Sequence, residues 1–156
     1  MQWPSVKETG NSKVFARNEL VIPAPPERIW RWLCRAERWP EWYSNCTDIR
    51  LRDDAGPDLA AGTRFVWKTF GVRVRSQVVT YISSLELGWS ATAFGFRGYH
   101  GWLFEALDTA RTRVITEETH IGPLTRVGRW HLRRELSAAH RRWLEELSRV
   151  VQTGDP

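Results

Sequence analysis

Three side chains in this 156-residue chain combine proton-transfer chemistry with otherwise apolar surroundings: His100, Glu118 and His140. His100 lies in RGYHGWLFEAL (97–107). A two-residue period there sends His100, Trp102 and Phe104 one way and Tyr99, Gly101 and Leu103 the other. Glu118 lies in TRVITEETHIG (112–122), where Val114, Thr116, Glu118 and His120 alternate with Arg113, Ile115, Glu117 and Thr119. If the two segments pair around ALDTA (106–110), Glu118 falls beside His100 to within a residue or two, a register the sequence leaves open. His140 sits at the edge of an apolar helical stripe, near Leu136, Trp143 and Leu144. A carboxylate against a buried imidazole stabilises the charged ring and orients it, while apolar walls push both pKa values from their solution values. Such a pair suits general acid–base work, as in an aldol cyclisation or a dehydration.

The same residues have structural uses, and these stay open. An inward histidine also serves as a satisfied core residue, and Glu118 could turn to solvent or pair with an arginine. His120, at a strand end before glycine, and His131, far round from the apolar stripe, are expected on the surface.

Aromatic residues supply the walls. Ten tryptophans exceed what a core of this size needs, and aromatic surface is what apolar ligand cavities are made of. The expected ligand contacts are Phe65, Trp67, Val74, Trp89, Trp102, Phe104, Thr116, Leu136 and Trp143, with Ser76 and Tyr81 as polar additions.

The elements that must position these groups follow from periodicity. KVFARNELVIPA (13–24) is strand-like and stops at Pro23. PPERIWRWLCRAE (25–37) starts with prolines and continues with Ile29, Trp30 and Leu33 at helical spacing. RWPEWYSN (38–45) reads as a break and a second short helical turn, and CTDIRLRD (46–53) as a short strand. Five alternating segments follow, from TRFVWKTFG to TRVITEETHIG, which predict an antiparallel meander with one covered face. From about Leu124 to Val151 a stripe of Leu132, Leu136, Ala139, Trp143, Leu147 and Val150 predicts one helix of about 40 Å at 1.5 Å per residue. The expectation is an α+β fold of about seven curved strands round that helix, with two short helices after strand 1. The folded unit spans residues 13–151, and 1–12 and 152–156 are loose ends.

Composition removes other classes. No stretch has the length or apolarity of a membrane span and no signal core is present, which points to the cytoplasm and against membrane insertion. Two cysteines make no disulfide framework, and no Cys/His spacing suggests a metal. Neither a phosphate loop nor a dinucleotide glycine pattern occurs, so no cofactor is expected. The net charge is +5. Arg126, Arg129, Arg133, Arg134, Arg141 and Arg142 spread over most of the last helix's circumference, which argues against a nucleic-acid partner. Association into a homodimer is left open.

The order of elements resembles the START-like (SRPBCC) superfamily, with its helix-grip fold, and within it the bacterial polyketide cyclase/dehydrase group. The resemblance runs from about Lys13 to Val151. It is carried by VIPAPPERIWRWL, WPEWYSNCTDIRL, GTRFVWKTFGVRVRSQV, LGWSA, HGWLFEAL and TRVITEETHIGPL. These stretches are structural and contain no catalytic signature. The resemblance implies a hydrophobic, aromatic or polyketide-like small molecule held between sheet and helix. Its fate is cofactor-free cyclisation or dehydration, or simple carriage or sensing of a hydrophobic ligand or lipid.

Overall fold

Alternation converts directly into strands, and the strands into one sheet. In a computed structural model, residues 14–52, 56–122 and 129–156 are described. Strand β1 (Val14–Ile22) leads to α1 (Pro26–Cys34), a 3-10 turn at Ala36–Arg38, and the short α2 (Trp39–Trp42). Then come β2 (Cys46–Leu51), β3 (Arg64–Thr69), β4 (Val72–Ile82), β5 (Glu86–Ala93), β6 (Phe96–Asp108), β7 (Arg111–Ile121) and α3 (Arg129–Val151). The seven strands form one antiparallel sheet in the order β1-β7-β6-β5-β4-β3-β2. This is the α+β helix-grip arrangement expected. The first four residues of the expected helix, 124–127, and residue 128 lie outside the described residues, as do 1–13.

Local chemistry sets the turns. Pro26 opens α1, where a missing N–H costs nothing. Thr69 pairs with Val72, so Phe70 and Gly71 alone make the β3–β4 turn. Both have positive φ, 49° and 72°, the pattern of a type I′ hairpin, whose twist matches its strands.

Helix α3 lays Leu136, Ala139, Trp143, Leu144 and Leu147 against the sheet and keeps Arg134, Arg141, Glu145 and Arg149 in solvent. Helix α1 buries Ile29, Trp30, Trp32 and Leu33 at the same side. The tail 152–156, expected to be loose, is pinned instead. The Trp32 indole N–H donates to the Gly154 carbonyl (2.8 Å), and Arg31 binds Asp155 (2.7 Å). Glu86, the first residue of β5, is buried, and Leu85 is exposed because it belongs to the turn before β5.

Inside, one half of the space is filled by aromatic rings. Trp39, fully buried, meets Phe65, Trp67, Trp89 and Trp143 at ring-centroid distances of 5.2–5.9 Å. Its indole N–H donates to the Leu33 carbonyl at 2.9 Å, which removes the penalty of a buried donor. The other half is not filled. Ser76, Ala91 and Gly98 stand side by side across β4, β5 and β6. Of that row only Ala91 borders the unfilled space: Trp67 takes Ser76, and the His120 ring takes the room at Gly98. Trp39→Ala is expected to lower the unfolding free energy by about 3–5 kcal/mol, measured by denaturant titration. A loss below about 1 kcal/mol would mean the ring is not the centre of the packed half.

Candidate functional site

The unfilled half is a cavity of about 410 Å³ bounded by β3–β7, Tyr43 and one face of α3. Most of its wall is apolar: Trp67, Val74, Ala91, Leu136, Ala139 and Trp143 among others. One patch is not. His100, Glu118, His120 and His140 converge there from β6, β7 and α3.

The register that the sequence left open places Glu118 directly opposite His100. His100 is 1% exposed, and its Nε2 lies 2.7 Å from the Thr116 hydroxyl. Its ring packs between Trp89 (4.8 Å) and Trp102 (5.3 Å, stacked). Its Nδ1 lies 3.7 Å from Glu118 Oε2. Glu118 is bonded on both oxygens. His120 Nε2 donates to Oε1 at 2.7 Å, and His140 Nε2 donates to Oε2 at 2.9 Å. A carboxylate has only acceptors, so both rings present Nε2–H to it. The second nitrogen of His140, Nδ1, is buried and without a partner among the described residues.

Burial pushes the His100 pKa down to about 3; the Glu118 charge pulls it up without prevailing, and His140 and His120 push it further down. Burial alone would raise Glu118. The His120 and His100 rings and the two imidazole hydrogen bonds outweigh burial and hold the acid well below its usual 4.5. Of the two opposed effects, the Glu118 charge and the apolar walls, desolvation wins at His100, and the resting pair is a neutral imidazole beside a carboxylate. His100, Glu118 and His140 also each offer one ligand atom, all within 4.8 Å of one another, so this trio is able to hold a metal ion. No metal-ligand spacing announced it, because the three donors are brought together by strand register and a helix crossing.

Of the expected ligand contacts, Trp67, Val74, Leu136 and Trp143 line the cavity with the trio. Phe65, Trp89, Trp102 and Phe104 face inward but are consumed by packing, Thr116 is taken up by its bond to His100, and none of the five borders the space. Ser76 accepts the Trp67 indole N–H (3.1 Å) rather than facing a ligand. Tyr81 is placed elsewhere: beyond the irregularity between Val78 and Thr80 it is 37% exposed and packs edge-on against Trp30.

Sequence reasoning missed two lining residues that matter. Tyr43, just after α2, stacks on Trp143 at 4.1 Å, and burial pushes its hydroxyl pKa up. His120, expected to be exposed, is 6% exposed and stacks on Phe96 at 4.9 Å. The usable signal was Gly98. A Cβ there would stand 2.6 Å from His120 Cδ2 and would strike the Thr119 carbonyl, so the glycine makes room for the imidazole. His131 is exposed, as expected, although it borders the cavity mouth residues Leu132 and Glu135.

Residues 16–152 match the family described as polyketide cyclase / dehydrase and lipid transport. Among solved structures, hypothetical protein jhp0584 from Helicobacter pylori is 26% identical, with TM-score 0.87 over 97% of this chain and 95% of that one. A START superfamily protein from Mycobacterium smegmatis is 10% identical (TM-score 0.76; 89% and 97% covered). The Zhui aromatase/cyclase from Streptomyces sp. R1128 is 12% identical (TM-score 0.71; 88% and 93% covered). The last two likenesses show the fold alone. No protein of curated function matches the sequence. Among the described residues, no helix is long and apolar enough to cross a membrane.

Gly98→Ala is expected to cost about 1–3 kcal/mol of stability and to move the His120 ring off Glu118. Denaturant titration and histidine NMR check this; wild-type stability with unchanged imidazole signals would contradict it. A pH prediction follows from His100. Its folded pKa (about 3) is below the ordinary 6.5, so the unfolded chain binds the extra proton. The stability this gives is full above pH 6.5 and is lost as pH falls from there toward 3. The Glu118 contribution has the same sign and fades below its ordinary 4.5. In chelator-containing buffer, unfolding free energy between pH 7 and 5 should therefore fall more steeply in wild type than in His100→Asn. Equal slopes would show that His100 is not the buried neutral ring described.

Proposed function

Since this chain belongs to the polyketide cyclase/dehydrase and lipid transport family, we propose that its cavity binds a flat, hydrophobic, polyketide-like small molecule. The observation that carries this reading is the 410 Å³ space itself, apolar on most sides and polar on one. That volume lies within the roughly 300–1,000 Å³ typical of small-molecule sites, and a few placed polar groups on an apolar wall are how such sites orient a ligand. Trp67, Trp143 and Tyr43 offer ring surface for burial and stacking of a planar molecule. The unpartnered Nδ1 of His140 and the imidazoles around Glu118 offer partners for a hydroxyl or carbonyl at one end.

A second reading, cyclisation or dehydration of a poly-β-ketone, is favoured by the imidazole–carboxylate cluster on that wall. In it, the unpartnered Nδ1 of His140 exchanges the proton with the ligand, while neutral His100 orients the ligand oxygen. Efficient acid–base catalysis needs a pKa near the working pH, which His100 lacks. Binding is therefore the first reading and catalysis the second.

Titration with a polycyclic hydroxyketone, followed by tryptophan fluorescence, is expected to show saturable one-to-one binding. Ala139→Trp, which puts an indole into the space from α3, should weaken it at least tenfold while leaving the circular dichroism unchanged. Unaltered affinity in that folded variant would remove the cavity as the site. For the second reading, a reactive poly-β-ketone is incubated with wild type, His100→Ala, Glu118→Ala and His140→Ala. Identical product profiles would leave a binding protein without chemistry.

A further inference from the structure

We propose that His100, Glu118 and His140 form the binding site of one divalent transition-metal ion whose remaining coordination positions open onto the cavity. The trio draws one donor each from β6, β7 and α3, and the three atoms lie within 4.8 Å of one another. With metal–ligand bonds of about 2.0–2.2 Å, donors in a finished site stand about 3.0–3.5 Å apart. Two separations are close to that already: 2.9 Å from His140 Nε2 to Glu118 Oε2, and 3.7 Å from His100 Nδ1 to the same oxygen. Small side-chain rotations close the rest.

The outer contacts point the same way. Thr116 holds His100 by Nε2, which leaves Nδ1 as that ring's donor toward the cluster. His120 holds Glu118 by Oε1, which leaves Oε2 as the shared corner. Metal ligands are ordinarily oriented by partners on their far sides in this way. Binding replaces the proton that His140 Nε2 shares with Glu118, and the neutral ring carries its proton on Nδ1 instead. That nitrogen is buried and unpartnered before binding as well as after, so the ion adds no new unsatisfied group. Two imidazoles and one carboxylate suit Fe²⁺, Co²⁺ or Zn²⁺, whereas Mg²⁺ and Ca²⁺ need more oxygen donors. Three protein ligands leave positions free, and all three residues border the 410 Å³ space.

The assignment does not depend on which molecule occupies the cavity, because the probe is the bare cation. Full-length protein is stripped with a chelator, exchanged into metal-free buffer, and titrated with Co²⁺, followed by visible absorption and then by Zn²⁺ competition. One equivalent is expected to bind, with Zn²⁺ displacing it. His100→Asn and His140→Asn should each weaken Co²⁺ binding at least tenfold. His120→Asn, which removes an outer contact, should weaken it by about 10–100-fold. Should a variant fail to fold, histidine-labelled wild type answers alone: one equivalent of Zn²⁺ shifts the buried imidazole signals. Absence of binding by folded wild type up to about 1 mM would overturn the proposal. So would unchanged affinity in folded His100→Asn and His140→Asn, or a response confined to exposed His131.

Discussion

The antiparallel register between β6 and β7 is the constraint on which the rest depends. Because side chains alternate faces, a slip of one residue would send Glu118 to the outer surface and set His100 opposite Glu117 or Thr119. The pairing His100 with Glu118 also sets Trp102 against Thr116, and Gly98 against His120. One alignment thus fixes the hydroxyl that holds His100, the glycine that admits His120, and the carboxylate that all three imidazoles surround. Helix α3 adds His140 from above, and its place follows from the same stripe that buries Leu136, Ala139 and Trp143.

The cavity and the packed half are two outcomes of a single distribution of volume. A helix laid on a twisted, curved sheet touches it closely only along part of its length. Where Trp39, Trp89, Trp102 and Trp143 meet, the gap is closed by rings. Where Ala91 faces α3, no side chain closes it. A polar cluster survives at the border because each oxygen of Glu118 meets an N–H, while His100 is kept neutral by burial among indoles. Unpaired, that carboxylate would be costly enough to deform the site.

The fold was legible because it rests on periodicity. Alternation in five successive segments, and a stripe on the last helix, specify strands and helix without any knowledge of their partners. The candidate site was legible in part, since His100, Glu118, His140, Trp67, Val74, Leu136 and Trp143 needed only a facing direction. Whether an inward residue borders space or is consumed by packing is a different question. Phe65, Trp89, Trp102 and Phe104 face inward like Trp67, and only the neighbours contributed by α1, α2 and α3 distinguish them, while Thr116 is taken up by its bond to His100. Tyr81 was misplaced because the irregularity between Val78 and Thr80 sets it opposite buried Leu87 and against Trp30 of α1, away from the cavity. His120 was missed because the room for it comes from a glycine on the neighbouring strand, and the tail was misjudged because its anchors lie in α1, more than a hundred residues earlier in the chain. The sign of the His100 shift was left open for a similar reason: the indoles that desolvate it come from β5, β6 and α3.

Electron density from a crystal of the protein tests the central arrangement most directly. The account predicts the Glu118 carboxylate lying between Nε2 of His120 and Nε2 of His140, at the edge of a space of about 410 Å³ that side chains do not enter. Density showing Trp67, Trp143 or Tyr43 folded into that space, or Glu118 turned to the outer face of the sheet, would contradict it.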